Sequence, residues 1–290
     1  MKDYMYLAMA TEEGVRGYAA STTHLVEEAR LRHNTAPTAT VALGRALTAA
    51  ALMGGLLKVG QRVALKWEGN GPLGKIVVEA DSNGSLRGYT AAPEIDLPLV
   101  AGEQNIVGAI GQAGLLTVVR DLGLPELAEG TVALATSDIG GDLAYFLEQS
   151  DQVATAVEIG VTLNEDGSVA AAGGILIQPL PPYEAGVVER LKERLQEMPP
   201  VTALLAEGQK PEAILDETFR GLKHSMLAKY PVRFQCNCSL ERTREALASL
   251  GREELEAILA NEGEAVVTCQ YCHKEYVLSG EELEAMIAAL

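Results

Sequence analysis

Residues 38–57 read TATVALGRALTAAALMGGLL, a segment rich in Ala and Leu in which Arg45 is the only charged residue. Ala and Leu favour helix formation, and a helix that is apolar on every side is normally buried. The apolar tract within the segment, residues 46–57, is interrupted by Thr48 and is too short to cross about 30 Å of hydrocarbon. We therefore predict a helix that is buried almost all round and lies beneath a sheet.

Short strands separated by turn residues precede and follow this helix. Residues 75–81 and 85–90 flank Asn83-Gly84, a dipeptide typical of hairpin turns, and a second hairpin is predicted across residues 165–167. Hairpins outnumber strand–helix–strand units, so we predict an α+β fold with antiparallel sheets. The predicted strands are residues 3–9, 15–20, 62–68, 75–81, 85–90, 115–120, 131–136, 155–163 and 169–178, and further helices are predicted at about 23–32 and 140–149.

The pattern changes after Gln178, where Pro179, Pro181 and Pro182 end the last predicted strand and helical spacing replaces alternation. A second boundary is predicted near Pro231. We expect three parts: an N-terminal antiparallel-sheet domain with buried helices at residues 1–180, a helical linker at 181–231, and a small C-terminal zinc-binding domain at 232–290.

The linker carries two apolar helical stripes, which two short helices cannot bury alone. Such stripes need cover from a folded surface, and we place them on the outside of the N-terminal sheet. One stripe contains Leu191, Leu195 and Met198, and the other contains Ile214, Leu215, Phe219 and Leu222.

The cysteines are confined to the C-terminal segment, as C-N-C at Cys236 and Cys238 and C-Q-Y-C at Cys269 and Cys272. Two closely spaced thiol pairs match a closed tetrahedral Zn²⁺ site. Core cysteines would be scattered along the chain, and a thioredoxin-like motif would need its C-x-x-C at the start of a helix. We predict one Zn²⁺ per chain on all four thiolates, with a structural or regulatory role because no ligand position is left for substrate.

Oxidation would compete with metal binding, because thiolates are also the nucleophiles that form disulfides. Four cysteines allow three pairings. Loop-closure entropy favours the local pairs Cys236–Cys238 and Cys269–Cys272 by roughly 2 kcal/mol. Strain in the small C-x-C ring opposes the first of them.

At these residues the sequence resembles the heat shock protein 33 family of redox-regulated bacterial holdase chaperones. The resemblance extends over essentially the whole chain. It rests on VALGRAL at 41–47, GPLG at 71–74, DLAYF at 142–146 with SDQ at 150–152, GG at 173–174 ahead of QPLP at 178–181, and FQCNCS at 234–239 with CQYC at 269–272.

The resemblance implies a protein that is reduced, zinc-bound and inactive until it is oxidised. Peroxide-type oxidation then forms the two local disulfides, Cys236–Cys238 and Cys269–Cys272, expels zinc and unfolds the C-terminal domain and linker. The activated form is a homodimer that binds unfolded client proteins without ATP during heat and oxidative stress. The client-binding residues cannot be transferred, because the linker and N-terminal surfaces carry no short signatures.

Charge separates this hypothesis from its alternatives. The chain has a net charge of −17, and residues 232–290 carry five Lys and Arg against eleven Glu. Acidic surfaces repel phosphate backbones and anionic lipids, so we expect no binding to nucleic acid or membranes. A zinc-stabilised nucleic-acid or transcription-associated module remains the alternative, and an oxidoreductase comes third.

No enzyme is predicted, since the histidines lack a nucleophile motif and no catalytic residue is proposed. The G-x-G-x-x-G at residues 69–74 leads into a strand instead of a helix, so it is predicted to be a turn that binds neither dinucleotide nor ATP. His273 follows Cys272 but is predicted to be a solvated hairpin residue. Without the apolar stretch of a secretion signal near Met1, we expect a cytoplasmic protein.

Overall fold

The apolar segment forms helix α2 (Pro37–Gly54) in the structure, a computed structural model that describes residues 2–290. Every residue of α2 except Pro37 and Arg45 is buried. Strands of two different sheets pack against the helix, so the prediction of a buried helix beneath a sheet is confirmed. Arg45 avoids the cost of an unpaired charge because its guanidinium pairs with Asp138, the N-cap of α4 (Ile139–Gln149).

The described residues divide into two units, one ending at Gln235 and the other comprising Cys236–Leu290. The predicted linker segment folds as part of the first unit. The division into residues 1–180, 181–231 and 232–290 stays a prediction. None of the helices within residues 2–290 is long and apolar enough to cross a membrane.

Six strands form one sheet of the first unit: β3 (Arg62–Gly69), β4 (Lys75–Asp81), β5 (Ser85–Thr90), β6 (Gly114–Asp121), β7 (Ala128–Ala133) and β11 (Arg233–Phe234). Their spatial order is β11-β5-β4-β3-β6-β7, and all neighbours are antiparallel except β11 and β5. Between β5 and β6 the chain forms the short helix α3 (Ile106–Ile110). Val63, Leu65 and Trp67 alternate along β3 as its buried face. Residues 70–74, within the glycine motif, form the turn between β3 and β4, as predicted.

Strand β7, at one edge of this sheet, begins and ends three residues earlier than predicted. β7 ends at Ala133. The N–H of Leu134 still donates to Gly114 of β6 at 3.0 Å, but the backbone amides after it have a different acceptor. The N–H groups of Ala135 and Thr136 each donate to Asp142 Oδ1 at 2.9 Å, and Asp142 is fully buried in α4. A side-chain carboxylate thus replaces the neighbouring strand as hydrogen-bond partner, which sequence alternation alone cannot reveal.

Five strands form the second sheet: β1 (Tyr4–Ala10), β2 (Val15–Ser21), β8 (Ala156–Leu163), β9 (Val169–Pro179) and β10 (His224–Pro231). Their spatial order is β10-β1-β2-β9-β8, antiparallel throughout, and helix α1 (Thr23–His33) packs against β9 beside α2. The prediction of an antiparallel α+β fold is therefore confirmed. The strand β10 was not predicted, because its partner β1 lies more than 200 residues away in the chain.

The linker segment forms α5 (Val187–Glu197), α6 (Val201–Ala206) and α7 (Pro211–Thr218). These helices cover the face of the five-stranded sheet that points away from α2. Consecutive residues of β9 show the two faces: a Cβ at Gly173 would meet Leu205 of α6, and a Cβ at Gly174 would meet Leu52 of α2. Both predicted stripes belong to the resulting core, and Phe219 and Leu215 are fully buried in it. The predicted placement of the stripes on the sheet is confirmed.

The second unit contains α8 (Leu240–Ala248), α9 (Arg252–Glu262), the hairpin of β12 (Ala265–Thr268) and β13 (Glu275–Leu278), and α10 (Gly280–Ala289). A capping box of Ser279 and Glu282 starts α10. The buried apolar core of this unit is small. It comprises Leu247, Leu255, Ala265, Leu278, Leu283 and Ile287.

Candidate metal centre

The first thiol pair lies in an extended segment immediately before α8. Ser239 is the N-cap of α8, and its side chain accepts from the backbone N–H of Arg242 at 3.3 Å. The guanidinium of Arg242 in turn donates to the carbonyl oxygen of Asn237 at 3.2 Å. These two bonds tie the C-N-C segment to the start of the helix and hold Cys236 and Cys238 in place.

The second thiol pair occupies the turn between β12 and β13. The N–H of Cys269 donates to the carbonyl of Lys274 at 3.0 Å, which continues the hairpin ladder. The carbonyl of Cys269 accepts from Cys272 at 3.3 Å and from His273 at 2.8 Å. His273 has a φ of 56°, so the chain reverses here in the left-handed region. The turn brings both thiols to one side of the hairpin.

The four sulfur atoms converge, with every pair within 4.8 Å. Cys236 Sγ lies 3.8 Å from Cys269 Sγ, and Cys238 Sγ lies 3.4 Å from Cys272 Sγ. A tetrahedral zinc ion with Zn–S bonds of about 2.3 Å separates its sulfurs by about 3.8 Å. Four thiolates at these distances therefore fit one zinc ion. Within residues 2–290 this is the one group of three or more potential ligands that converges in this way.

Burial and hydrogen bonds shift the pKa values of Cys238, Cys269 and Cys272 in different directions. Burial alone would raise the pKa of Cys238, but hydrogen bonds from Tyr276 and from the other thiols outweigh it and lower the pKa to about 7. Burial raises the pKa of Cys269 and that of Cys272, even though backbone N–H groups donate to both sulfurs. Of these three thiols, Cys238 ionises most readily near neutral pH, and thiolates are the form that binds metal.

Tyr276 is the residue of this centre that sequence reasoning missed. Its hydroxyl donates to Cys238 Sγ at 3.2 Å, and this bond raises the pKa of the phenol to about 12. The hairpin register pairs Tyr276 with Val267 and directs its side chain toward the buried face shared with Leu278. The alternation of β13 carries a signal for this inward direction, but the partner on the C-N-C segment follows only from the tertiary structure. His273 is exposed and lies outside the group of four ligands.

Comparison with known proteins identifies the family. The family profile described as Hsp33 protein matches residues 3–279. The chain belongs to the Hsp33 family. A 33 kDa chaperonin of Geobacter sulfurreducens is 49% identical over 284 residues, covering 98% of this chain and 94% of the relative. A 33 kDa chaperonin of Bacillus pumilus is 40% identical over 285 residues, covering 98% of both chains.

A solved structure agrees over the same length. The crystal structure of the 33 kDa chaperonin of Thermotoga maritima has a TM-score of 0.91 to this chain at 35% identity. The match covers 99% of this chain and 98% of the other. The α+β fold described above is thus that of an Hsp33 family member, and the resemblance noted from the sequence motifs is confirmed.

Proposed function

We propose that this Hsp33 family protein is a redox-regulated, ATP-independent holdase chaperone. In the reduced state one Zn²⁺ on Cys236, Cys238, Cys269 and Cys272 keeps it inactive, and oxidation of the same thiols activates it. The observation that carries the proposal is the convergence of four thiols within 4.8 Å in a unit with a small core. The names of the curated relatives, 33 kDa chaperonins, support the chaperone role.

Zinc would supply most of the folding free energy of residues 236–290. A unit of this size buries too small a fraction of its surface to be comfortably stable without a staple. Structural zinc contributes about 10–16 kcal/mol at thiolate sites. Loss of the metal would therefore unfold the unit, and this coupling turns a chemical change at four sulfurs into a conformational change.

Peroxide can drive that loss with a balanced reaction. Two thiolates give up two electrons and form one disulfide. One hydrogen peroxide molecule takes up these electrons and two protons and becomes two water molecules. We propose the local pairs Cys236–Cys238 and Cys269–Cys272. The sulfur contacts of 3.4 Å and 3.8 Å in the folded cluster join cysteines of different local pairs. Loop entropy would favour the local bonds once the metal has left and the unit has opened.

The linker helices supply a surface that opening would expose. α5, α6 and α7 cover an apolar sheet face that includes Ala19, Ile175 and Ile177. Undocking would bare this face and the apolar stripes of the helices together, and contiguous apolar surface of this kind binds unfolded chains. We propose that unfolding of residues 236–290 releases the linker, that the active form is a homodimer, and that the protein works in the cytoplasm under heat and oxidative stress.

The alternative is a zinc-stabilised nucleic-acid module. A zinc module that grips DNA needs a basic face, whereas residues 232–290 carry a net charge of −6. We also propose that the holdase catalyses no reaction, uses no ATP and does not bind membranes. A disulfide oxidoreductase would oxidise many substrate molecules per chain, whereas a switch consumes oxidant once.

Light scattering of a thermally unfolding client protein tests the proposal. Reduced, zinc-loaded protein should leave aggregation unchanged, and protein treated with hydrogen peroxide should suppress it at near-stoichiometric ratios without nucleotide. A variant with all four cysteines replaced by Ser is the matched control, because it should show the same activity with and without peroxide. Equal suppression by the reduced and oxidised wild-type protein would reject the redox switch.

A further inference from the structure

The phenol of Tyr276 contacts one particular sulfur of the cluster. Its hydroxyl donates to Cys238 Sγ at 3.2 Å, and Lys274 Nζ lies over its ring, 4.8 Å from the ring centroid. Only 8% of the residue is exposed. The ring is therefore fixed by β13 and by packing, so the hydroxyl stays directed at the sulfur.

A hydrogen bond donated to a thiolate weakens both metal binding by the sulfur and its nucleophilic attack on an oxidant. The bond draws electron density from the sulfur, which makes it a poorer metal ligand and a poorer nucleophile. When zinc holds all four sulfurs as thiolates, the fraction ionised no longer limits oxidation. The rate of attack on peroxide then depends on nucleophilicity alone.

We propose that Tyr276 restrains the oxidation of Cys238 in the zinc-bound state and thereby sets the amount of oxidant needed for activation. The inference rests on the proposed function, since it assumes a zinc-bound reduced form that peroxide opens. Tyr276 acts through Cys238 and is a positioning residue. It neither binds the metal nor takes part in the disulfide.

The restrained step is attack by the Cys238 thiolate on one oxygen of hydrogen peroxide. An S–O bond forms, the O–O bond breaks, and hydroxide leaves and takes up a proton from the buffered solvent to give water. A second thiolate then attacks the sulfenic sulfur, which forms the disulfide and releases a second hydroxide. Each O–O bond that breaks takes up two electrons, and these come from the two sulfurs that form one disulfide. The first attack uses the sulfur electron density that the Tyr276 hydroxyl engages.

The test compares wild-type full-length protein with Tyr276→Phe, which keeps the ring and its packing and removes the hydroxyl. Zinc release is followed with a chromogenic chelator in two ways, with excess hydrogen peroxide and with chelator alone. Attack by Cys238 should become roughly threefold faster, the change that a Brønsted exponent of about 0.4–0.5 gives for a tenfold change in sulfur basicity. Peroxide-driven release should therefore become faster, by up to that factor. Release to chelator alone should be unchanged or slower, because the sulfur has become a better ligand.

A purely structural role for the hydroxyl gives a different pattern. A loosened site would release zinc faster in both experiments, and that result would overturn the inference. Tyr145→Phe is the control, because it removes the hydroxyl of an exposed tyrosine on α4, outside residues 236–290, and leaves the bond to Cys238 in place. It should keep the wild-type ratio of the two rates.

Trapping of sulfenic acid with a dimedone-type reagent, followed by peptide mass spectrometry, identifies the sulfur concerned. The share of label on Cys238 should rise in Tyr276→Phe, and an unchanged share would overturn the inference. Failure of the proposed function looks different from failure of the inference. The proposed function fails if the wild-type protein binds no zinc or keeps its zinc in peroxide. The inference fails if the wild-type protein releases zinc in peroxide and Tyr276→Phe behaves in the same way as the wild type.

Discussion

Gly17 on β2 lies directly beneath the ring of Phe219, at the end of α7. A Cβ at position 17 would lie 2.8 Å from Phe219 Cζ and 3.2 Å from Leu215 Cδ2, both closer than ordinary packing allows. The linker therefore approaches the sheet to a distance that only glycine permits. This contact offers a way to loosen the linker without removing any apolar surface from it.

Gly17→Ala should weaken docking of the linker. Overpacking of a core typically costs about 1–3 kcal/mol, so amides in residues 183–230 should exchange faster and less oxidant or heat should be needed for activity. Hydrogen exchange by mass spectrometry measures the first effect. Gly140→Ala is the control, because a Cβ there would meet no atom closer than 3.5 Å. Unchanged exchange in residues 183–230 of Gly17→Ala would contradict the prediction.

Phe219→Ala removes the buried anchor of the same contact. Truncation of a buried Phe costs about 3–5 kcal/mol, so the reduced variant should suppress client aggregation in part without any oxidant. Phe146→Ala serves as control, since Phe146 is equally buried in α4 but lies outside the linker core. If both variants gained the same activity, global destabilisation and not linker release would be the cause.

Each of the four cysteines should be needed for the metal. Elemental analysis of reduced wild-type protein should find one zinc per chain. Replacement of Cys236, Cys238, Cys269 or Cys272 by Ser should weaken binding by more than the roughly 10–100-fold that loss of an outer-shell partner costs, and far-UV circular dichroism should report loss of the helices of residues 236–290. Retention of a full equivalent of zinc in all four variants would exclude the site.

Docking of α6 should depend on pH through Glu158 of β8. A carboxylate oxygen of Glu158 accepts from the N–H of Val201, the first residue of α6, at 2.7 Å. Burial raises the pKa of Glu158 more than this bond lowers it. Because the docked pKa of Glu158 lies above the undocked value of about 4.5, the stability gained by protonation is fully present below that value and is lost as pH rises through the raised pKa.

Glu158→Gln keeps an acceptor for Val201 without a charge, so it should dock the linker more firmly at pH 7 and remove this pH dependence. Limited proteolysis of the linker, expressed as the ratio of variant to wild-type rate at each pH, measures the effect. The ratio should lie below one at pH 7 and approach one at acidic pH. Glu148→Gln, which alters an exposed carboxylate on α4, should leave the ratio at one throughout.

The predictable parts of this protein are those in which a local pattern has one solution. An uncharged Ala/Leu-rich helix such as α2 must be buried, and alternating strands such as β3 and β4 must form a hairpin when the turn between them is rich in glycine. The motifs C-N-C and C-Q-Y-C likewise predict that the four cysteine sulfurs converge, because four thiols in two close pairs match a tetrahedral metal site.

The sequence by itself thus determined the α+β class, the buried helix, the linker stripes and the four candidate ligands, since each follows from residue types at short spacing. Only the tertiary structure decided that His224–Pro231 pairs with Tyr4–Ala10, that Asp142 ends β7, that Glu158 caps α6 and that Tyr276 reaches Cys238. Each of these joins residues through space, and the residue types involved are compatible with many other partners. Local propensity and spacing carry no information about which partner a residue contacts, whereas packing of the whole chain allows only one of the possible partners.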